Sequence, residues 1–481
     1  MKKLIVAVIG FKKLSLAGVI IFLWFTHLFA QAPDTLWTKT FGGSNTDHAY
    51  AVQETPDSGY IIGGYKYMSP GYNVYLVKID ANGNQLWAKL LGYTCYSLQL
   101  TSDGGYIIGG HIHYSYPTIN DNFYLLKTDA NGNQLWWKDY DFYTYEMGLS
   151  VQQTSDEGYI LVGWTLPGTG DYAICMVKTD SSGNLLWSKI YNPTSDKEDA
   201  RSVQQTLDGG YVIAGRRGPG EQIHLLRTDE NGDTLWTQTY GGGWGTSVIE
   251  LSDGDFIVAG FRSINGDDFC LIKTDENGNV LWEKTYGGTG CERAWSVDQT
   301  SDNGYIIGGW TDSYGAGNRD FYFVRTDENG DTLWTKTIGG TSWDYGQAVR
   351  HTSDGGYIMV GYTASFGAGL DDYYVVKLDA DATCIEEALT PAKIESEILS
   401  APSIFKDKIC LKLSTTLKSS LKITLYNTYG AAVFTKYYPY TSSYNITLKD
   451  EKIAKLAPGV YFLSVLSGKK EIGGIKLIKR P

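Results

Sequence analysis

Proline is scarce in this chain, 12 residues in 481. The six cysteines, Cys95, Cys175, Cys270, Cys291, Cys384 and Cys410, contain neither a Cys-x-x-Cys nor an adjacent Cys-Cys pair. That spacing excludes the usual structural zinc patterns, and a chain this long does not depend on disulfides for a core. Beyond Phe25 no apolar run approaches the length of a bilayer span. A Gly-x-Ser-x-Gly elbow, a phosphate-binding glycine loop and a Ser-His-Asp constellation are all missing. Positive charge is short as well. Residues 33–400 carry a net −26, which excludes a nucleic-acid partner, because phosphates need Lys/Arg patches.

What the chain has in abundance is Gly (57), Tyr (36) and Trp (14), the composition of short aromatic strands joined by tight turns. The N-terminus reads Lys2-Lys3, Lys12-Lys13, an apolar run from Leu14 to Phe25, then Ala30-Gln31-Ala32. This is a signal peptide over 1–32, cleaved after Ala32. The mature protein is then expected to have no membrane span. The last stretch, 401–481, is basic, with 14 Lys/Arg against 4 acids.

Leu-Trp pairs end at Trp37, Trp87, Trp136, Trp187, Trp236, Trp282 and Trp334, spaced by 46 to 52 residues. All but the first follow an Asp-x-x-Gly turn, such as Asp327 to Gly330. Each period holds four strand-like runs. The first is small-Val-Gln-x-Thr, as at Ala51 to Thr55. The second is Gly-Tyr-Ile-Ile-x-Gly, as at Gly59 to Gly64. The third is an aromatic-aliphatic run ending in Lys/Arg-x-Asp, and the fourth is Leu-Trp-x-Lys. Asp-Gly-Gly and Asn-Gly turns between them are hairpin signals. Four strands per period without a helical repeat predict an all-β propeller. Three-run sets start near Ala51, Ser97, Ser150, Ser202, Ser247, Ser296 and Ala348, and the seventh lacks a fourth strand. The unmatched Leu36 to Gly43 supplies one. The expectation is a seven-bladed β-propeller over 33–380, closed by an N-terminal outermost strand, because closure removes free sheet edges.

The Asp-turn-Gly-x-x-Leu-Trp hairpin resembles the repeat of the pyrroloquinoline-quinone (PQQ)-type propellers. That resemblance implies that the seven Trp dock onto adjacent blades, with the first run innermost and the fourth outermost. The quinone-dehydrogenase site does not carry over: those enzymes need an adjacent Cys pair and usually eight blades. After a polar linker, 381–401, residues 402–481 read as short strands of a small C-terminal β-sandwich. Leu425-Tyr-Asn-Thr-Tyr-Gly430 and Leu456-Ala-Pro-Gly-Val-Tyr-Phe-Leu463 resemble the type A C-terminal sorting domain of type IX secretion. The usual opening Pro-Asn-Pro-Phe is here Ala401-Pro-Ser-Ile-Phe405. The resemblance implies the type IX machinery as a partner through 402–481, with export to the medium or the cell surface.

Variable loops on a rigid scaffold are where binding usually sits. Just before the first run of five units stand Asp47, Glu146, Glu198, Glu292 and Asp344. They form either an acidic collar at a channel mouth or a set of local turn caps. A collar suits a basic ligand or calcium, with Asp47, Glu292 and Asp344 as the metal candidates; no other cofactor is indicated. Gln53, Gln99, Gln152 and Gln204 are expected to line the channel. Trp164 and Trp310 lead the loop aromatics that could stack on sugar rings. The function expected is a monomeric, non-catalytic binding or adhesion protein for a glycan or surface protein. The alternative is a polysaccharide hydrolase or lyase using collar carboxylates.

Overall fold

The computed structural model describes residues 32–381, apart from 70, 115–119, 169–170, 192–196 and 264–265, together with the strands and short helix of 398–479. The signal peptide expected over 1–32, all but Ala32, and most of the expected linker lie outside the described residues. What is described is nearly all β, with one four-residue helix, Glu451–Ala454.

Each period folds as the turn chemistry dictates. In the first, Asp47–Glu54, Tyr60–Met68, Gly71–Ile79 and Gln85–Leu91 form one antiparallel sheet in chain order. The Asp57 carboxylate shapes the first hairpin by accepting from the Thr55 hydroxyl and the Gly59 N–H. Asp80 shapes the last by accepting from the Asn82 and Asn84 N–H groups, with Gly83 at φ +76°. Such Asx turns need the carboxylate two residues before the bonded amide and a residue tolerant of positive φ. The same two devices recur at Asp103 and Asp129, Asp156 and Asp180, and Asp208 and Asp229.

The second and third strands are buried on both faces, as their unbroken apolar character requires; Tyr305–Thr311 and Asp320–Thr326 are buried throughout. One join is continuous. Thr234–Glu250 runs for 17 residues as the last strand of one sheet and the first of the next. The N-terminal strand Thr35–Phe41 pairs antiparallel with Asp372–Leu378, completing the sheet that also holds Tyr357–Thr363 and Asp344–His351.

Apolar clusters lie between consecutive sheets, and each fully buried Leu, Ile, Val or Phe contributes about 1.5–3 kcal/mol. Val212, Ala214, Val258 and Ile272 make one such cluster. Another joins the last sheet to the first, through Ile358, Val360 and Tyr373 against Val52, Ile62 and Val77. Polar contacts repeat too. The side chains of Gln153, Gln205 and Glu250 accept from the N–H groups of Ser102, Ser155 and Leu207 in the preceding sheet. Glu54 accepts from Ser353 N–H in the same way.

The third strands carry a buried cation that the sequence reading left without a partner. Lys78, Lys127, Lys178, Arg227, Arg325 and Lys377 reach the first-hairpin aspartates Asp57, Asp103, Asp156, Asp208, Asp302 and Asp354. Burial works to raise Asp57 and Asp103, but the Thr55 and Thr101 hydroxyls, these lysines and the turn N–H groups together hold both carboxyls down near 2.

In the C-terminal part, Ile398–Ser400, Lys408–Leu413 and Asn445–Lys449 form one sheet. Ile404–Phe405, Lys470–Lys479, Gly459–Ser467, Leu421–Asn427 and Ala432–Tyr438 form another. Ile409 and Leu448 of the first share a core with Ile423, Leu425, Leu463, Val465 and Leu477 of the second, so the sheets pack face to face. The strand Ile398–Ser400 lies inside the stretch expected as linker and pairs with Lys408–Leu413.

Candidate functional site

Asp47, Glu146, Glu198, Glu292 and Asp344 each open the first strand of a sheet. None forms part of an open acidic collar, because all five are at most 1 % exposed. Three of them close the connection entering their own strand, and two pair with a cation on the neighbouring strand. Asp344 accepts from Gly340 N–H and from the Thr363 and Ser365 hydroxyls. Glu292 accepts from Gly288 and Ser313 N–H and from Thr311. Glu146 accepts from Phe142 and Tyr143 N–H and from Thr165. Glu198 meets Arg217 at 2.7 Å and Asp47 meets Lys66 at 3.1 Å. Burial outweighs these donors at Glu146 and pushes its carboxyl up to about 7.

Side chains alternate along a strand, so the residues next to these carboxylates point the other way. There they meet aromatic side chains of the second strands. His48 stacks on Tyr362 with ring centres 3.6 Å apart, and Tyr362 stacks on Tyr345 at 4.7 Å. From Tyr345 the contacts continue to Trp310 and to Trp343. On the other side Tyr65, Tyr50, Tyr96 and His111 follow in turn. Arginines link the remaining sheets: Arg293 lies between Phe261 and Trp310, and Arg216 lies 4.1 Å from the Trp244 ring. The result is a continuous arc of rings and guanidinium groups across neighbouring sheets.

Arg319 is the distinctive member. Its guanidinium sits 3.9 Å from the Trp310 ring, 5.0 Å from Trp343 and 5.1 Å from Tyr345, and donates to the Tyr345 hydroxyl at 2.9 Å. Arg201, Arg216 and Arg293 pair with Asp199 or Asp267. Arg319 has no carboxylate at ion-pair distance among the described residues, and its buried Nε lacks a partner. Trp343 stays 41 % exposed beside it.

Of the two tryptophans singled out from sequence, Trp310 belongs to this arc but is itself buried beneath Arg319. Trp164 is half-buried against Tyr172 at 4.5 Å, apart from the arc. Sequence reasoning missed Arg319, Tyr345, His48 and Trp244. The available signal was the period of two: each of the last three follows directly after the position that holds a carboxylate or Gly243 at the strand entrance.

The first strands enclose a polar cavity of about 240 Å³ lined by Gln53, Gln99, Gln152, Gln204, Asp298 and Arg350 among others. Three of these amides are engaged. Gln99 accepts from Gln153 N–H at 2.6 Å, Gln152 from Gln205 N–H at 2.5 Å and Gln204 from Glu250 N–H at 2.8 Å. They tie neighbouring sheets together.

The tryptophans of the fourth strands reach the next sheet. Trp37, Trp87, Trp136, Trp187, Trp236 and Trp282 lie over the turn glycines Gly83, Gly132, Gly183, Gly232, Gly278 and Gly330. Trp334 has no such turn ahead of it and donates to Asp381 at 2.7 Å.

Residues 402–480 match the family described as the secretion system C-terminal sorting domain. The face-to-face sheets at the C-terminus are that module. It is a type IX sorting domain. A sorting domain addresses its cargo to the secretion machinery, so the protein is secreted or displayed at the cell surface. No helix among the described residues is long and apolar enough to cross a membrane.

No curated protein matches the chain. Among solved structures the chain is similar to a fungal alcohol oxidase of the AA5 family in complex with copper, at 11 % identity and TM-score 0.48, covering 94 % of this chain and 100 % of that one. It is similar to a protein of unknown function from Dyadobacter fermentans at 12 % identity and TM-score 0.43, over 73 % and 99 % of the two chains. YCF48 bound to D1 peptide also has 12 % identity and TM-score 0.43, over 75 % and 100 %. Likenesses this slight say nothing about chemistry.

Proposed function

We propose that the mature protein is a surface-exported, non-catalytic, seven-bladed β-propeller that binds acidic polysaccharide through the arc centred on Arg319. The signal peptide over 1–32 would carry it through the inner membrane, and the sorting domain through the outer one. Thr35–Phe41 would close the ring as the outermost strand of the seventh blade. Support for closure comes from the seam, where Glu54 and Ser353 repeat the hydrogen bond that joins other neighbours.

The observation that carries the binding reading is a guanidinium held between aromatic faces without a carboxylate of its own. Flat rings accept the apolar faces of sugars. A planar, permanently charged fork recognises a carboxylate or sulfate in two-point fashion. Binding is favoured over hydrolysis or lysis because the five candidate carboxylates are buried, three of them bonded to turn donors and two paired with Lys66 or Arg217, whereas a glycosidase needs two that reach the scissile bond.

The test is an array of neutral and acidic glycans probed with the mature protein and with Arg319→Ala and Arg319→Lys variants. Acidic glycans should bind, Arg319→Ala should weaken binding at least tenfold, and Arg319→Lys should recover only part of it. Retention of no acidic glycan by the wild type would overturn the reading.

A further inference from the structure

We infer that the two junctions where carboxylates meet with no lysine or arginine at ion-pair distance, the buried Asp320 with Asp344 and the half-buried Asp268 with Glu292, each bind a calcium-type divalent cation. Asp320 is fully buried. Its Oδ2 accepts from Ala316 and Gly317 N–H, while its Oδ1 has no partner. That oxygen and Asp344 Oδ2 converge on one point, since a Cβ built on Gly339 would fall 1.8 Å from the first and 2.7 Å from the second. The same arrangement recurs at Gly287, 1.8 Å from Asp268 Oδ1 and 2.6 Å from Glu292 Oε2.

A third junction serves as an internal comparison. At Gly42 the corresponding distances are 1.9 Å to Asp372 Oδ1 and 2.6 Å to Asp47 Oδ2. There the chain supplies its own cation, with Lys66 Nζ 3.1 Å from Asp47, although Asp372 Oδ1 also has no hydrogen-bond partner. Lys66 is the cross-strand partner of Asp47, and the equivalent partners of Asp344 and Glu292 are Thr363 and Thr311. Beside the next glycine, where Lys66 Nζ would lie 2.8 Å from a Cβ on Gly43, the other two junctions place the Ser365 and Ser313 hydroxyls. Neutral oxygens thus replace the ammonium while both carboxylates remain.

The remaining junctions follow the same charge rule. Glu198 faces Arg217, and Glu146 faces Thr165 with the neutral Asn122 in place of a second acid. Two adjacent carboxylates in a buried site repel unless a proton or cation lies between them, and burial and mutual repulsion raise both Asp268 and Asp320. No group of three or more His, Cys, Asp or Glu converges among the described residues. The other ligands would therefore be hydroxyls, backbone carbonyls and water, all of which Ca²⁺ accepts.

The experiment is calorimetric titration of the chelator-stripped mature chain with calcium chloride, with the thermal midpoint followed in parallel. Wild type should bind two equivalents saturably and melt several degrees higher with calcium. Asp320→Asn should bind one equivalent and melt higher than wild type when stripped. Thr363→Lys should also bind one, because its amine would stand where Lys66 stands. Should Thr363→Lys fail to fold, Asp320→Asn still decides, since it exchanges one oxygen for an amide group. Absence of saturable binding, a melting temperature that responds to acid but not to calcium, or unchanged stoichiometry in Asp320→Asn would each overturn the inference.

Discussion

The indole of Trp37 lies on the turn glycine Gly83, where a Cβ would sit 3.0 Å from the ring, and its Nε1 donates to the Ala81 carbonyl at 3.2 Å. Trp37 belongs to a strand that pairs with Asp372–Leu378, whereas Gly83 belongs to the first sheet. One side chain therefore joins the two ends of the repeat array. Substituting the glycine measures what that contact is worth. Gly83→Ala adds a left-handed backbone penalty and a collision with the indole, and should cost about 1–3 kcal/mol. Gly104, at φ +80° with open space around its Cβ position, carries only the backbone penalty. Thermal unfolding should rank Gly83→Ala clearly below Gly104→Ala, and equal melting temperatures would show that docking adds no stability.

Removing residues 34–43 deletes the strand altogether. The exposed edge of Asp372–Leu378 and the loss of Trp37 and Phe41 from the shared cluster should lower the melting temperature of the whole body. An unchanged midpoint would contradict a structural role for the N-terminal strand.

Glu146 sets a pH dependence. Its folded carboxyl is pushed up to about 7, from an ordinary value of 4.5, chiefly by burial. A raised carboxyl contributes stability that is fully present below the unfolded value and lost as pH rises through the folded one. Glu146→Gln keeps the acceptor oxygen for Phe142 and Tyr143 but cannot ionise. The variant should match wild type near pH 4.5 and exceed it above pH 7, by about 3 kcal/mol. His224, whose burial holds its imidazole down to about 3, titrates alike in both proteins. A stability difference independent of pH would refute the assignment.

Export is tested by truncation. Without 402–481 the folded body should accumulate in the periplasm, as read by cell fractionation, because the sorting domain is its address. Normal secretion of the truncated protein would remove that role.

The repeat was legible because each turn carries its own chemistry. Asp-x-Asn-Gly-Asn and Asp-Gly-Gly specify hairpins whatever the surroundings. The candidate site was less so. A carboxylate such as Asp344 looks the same in sequence whether it faces solvent or three turn donors, and only the fold decides. Arg319 went unnoticed because its setting comes from Trp310, Trp343 and Tyr345, contributed by three different strands or loops. The pairing of Lys78 with Asp57 and of Arg325 with Asp302 was likewise hidden, although both partners occupy fixed positions in each repeat.

The uninterrupted strand Thr234–Glu250 has a mechanical consequence. Elsewhere among the described residues the strands of consecutive sheets are separate elements, but here one hydrogen-bonded ladder runs through both, from Gln222–Thr228 on one side to Phe256–Ser263 on the other. Gly241 and Gly243, at φ +44° and +138°, bend the strand without breaking it. Gly243 also occupies the place where five other sheets bury an acid, and Arg262, left without that acid, turns to Glu283. Under tension or during unfolding, those two sheets would part from the body as a single block, making this the stiffest joint in the array and every other junction a softer hinge.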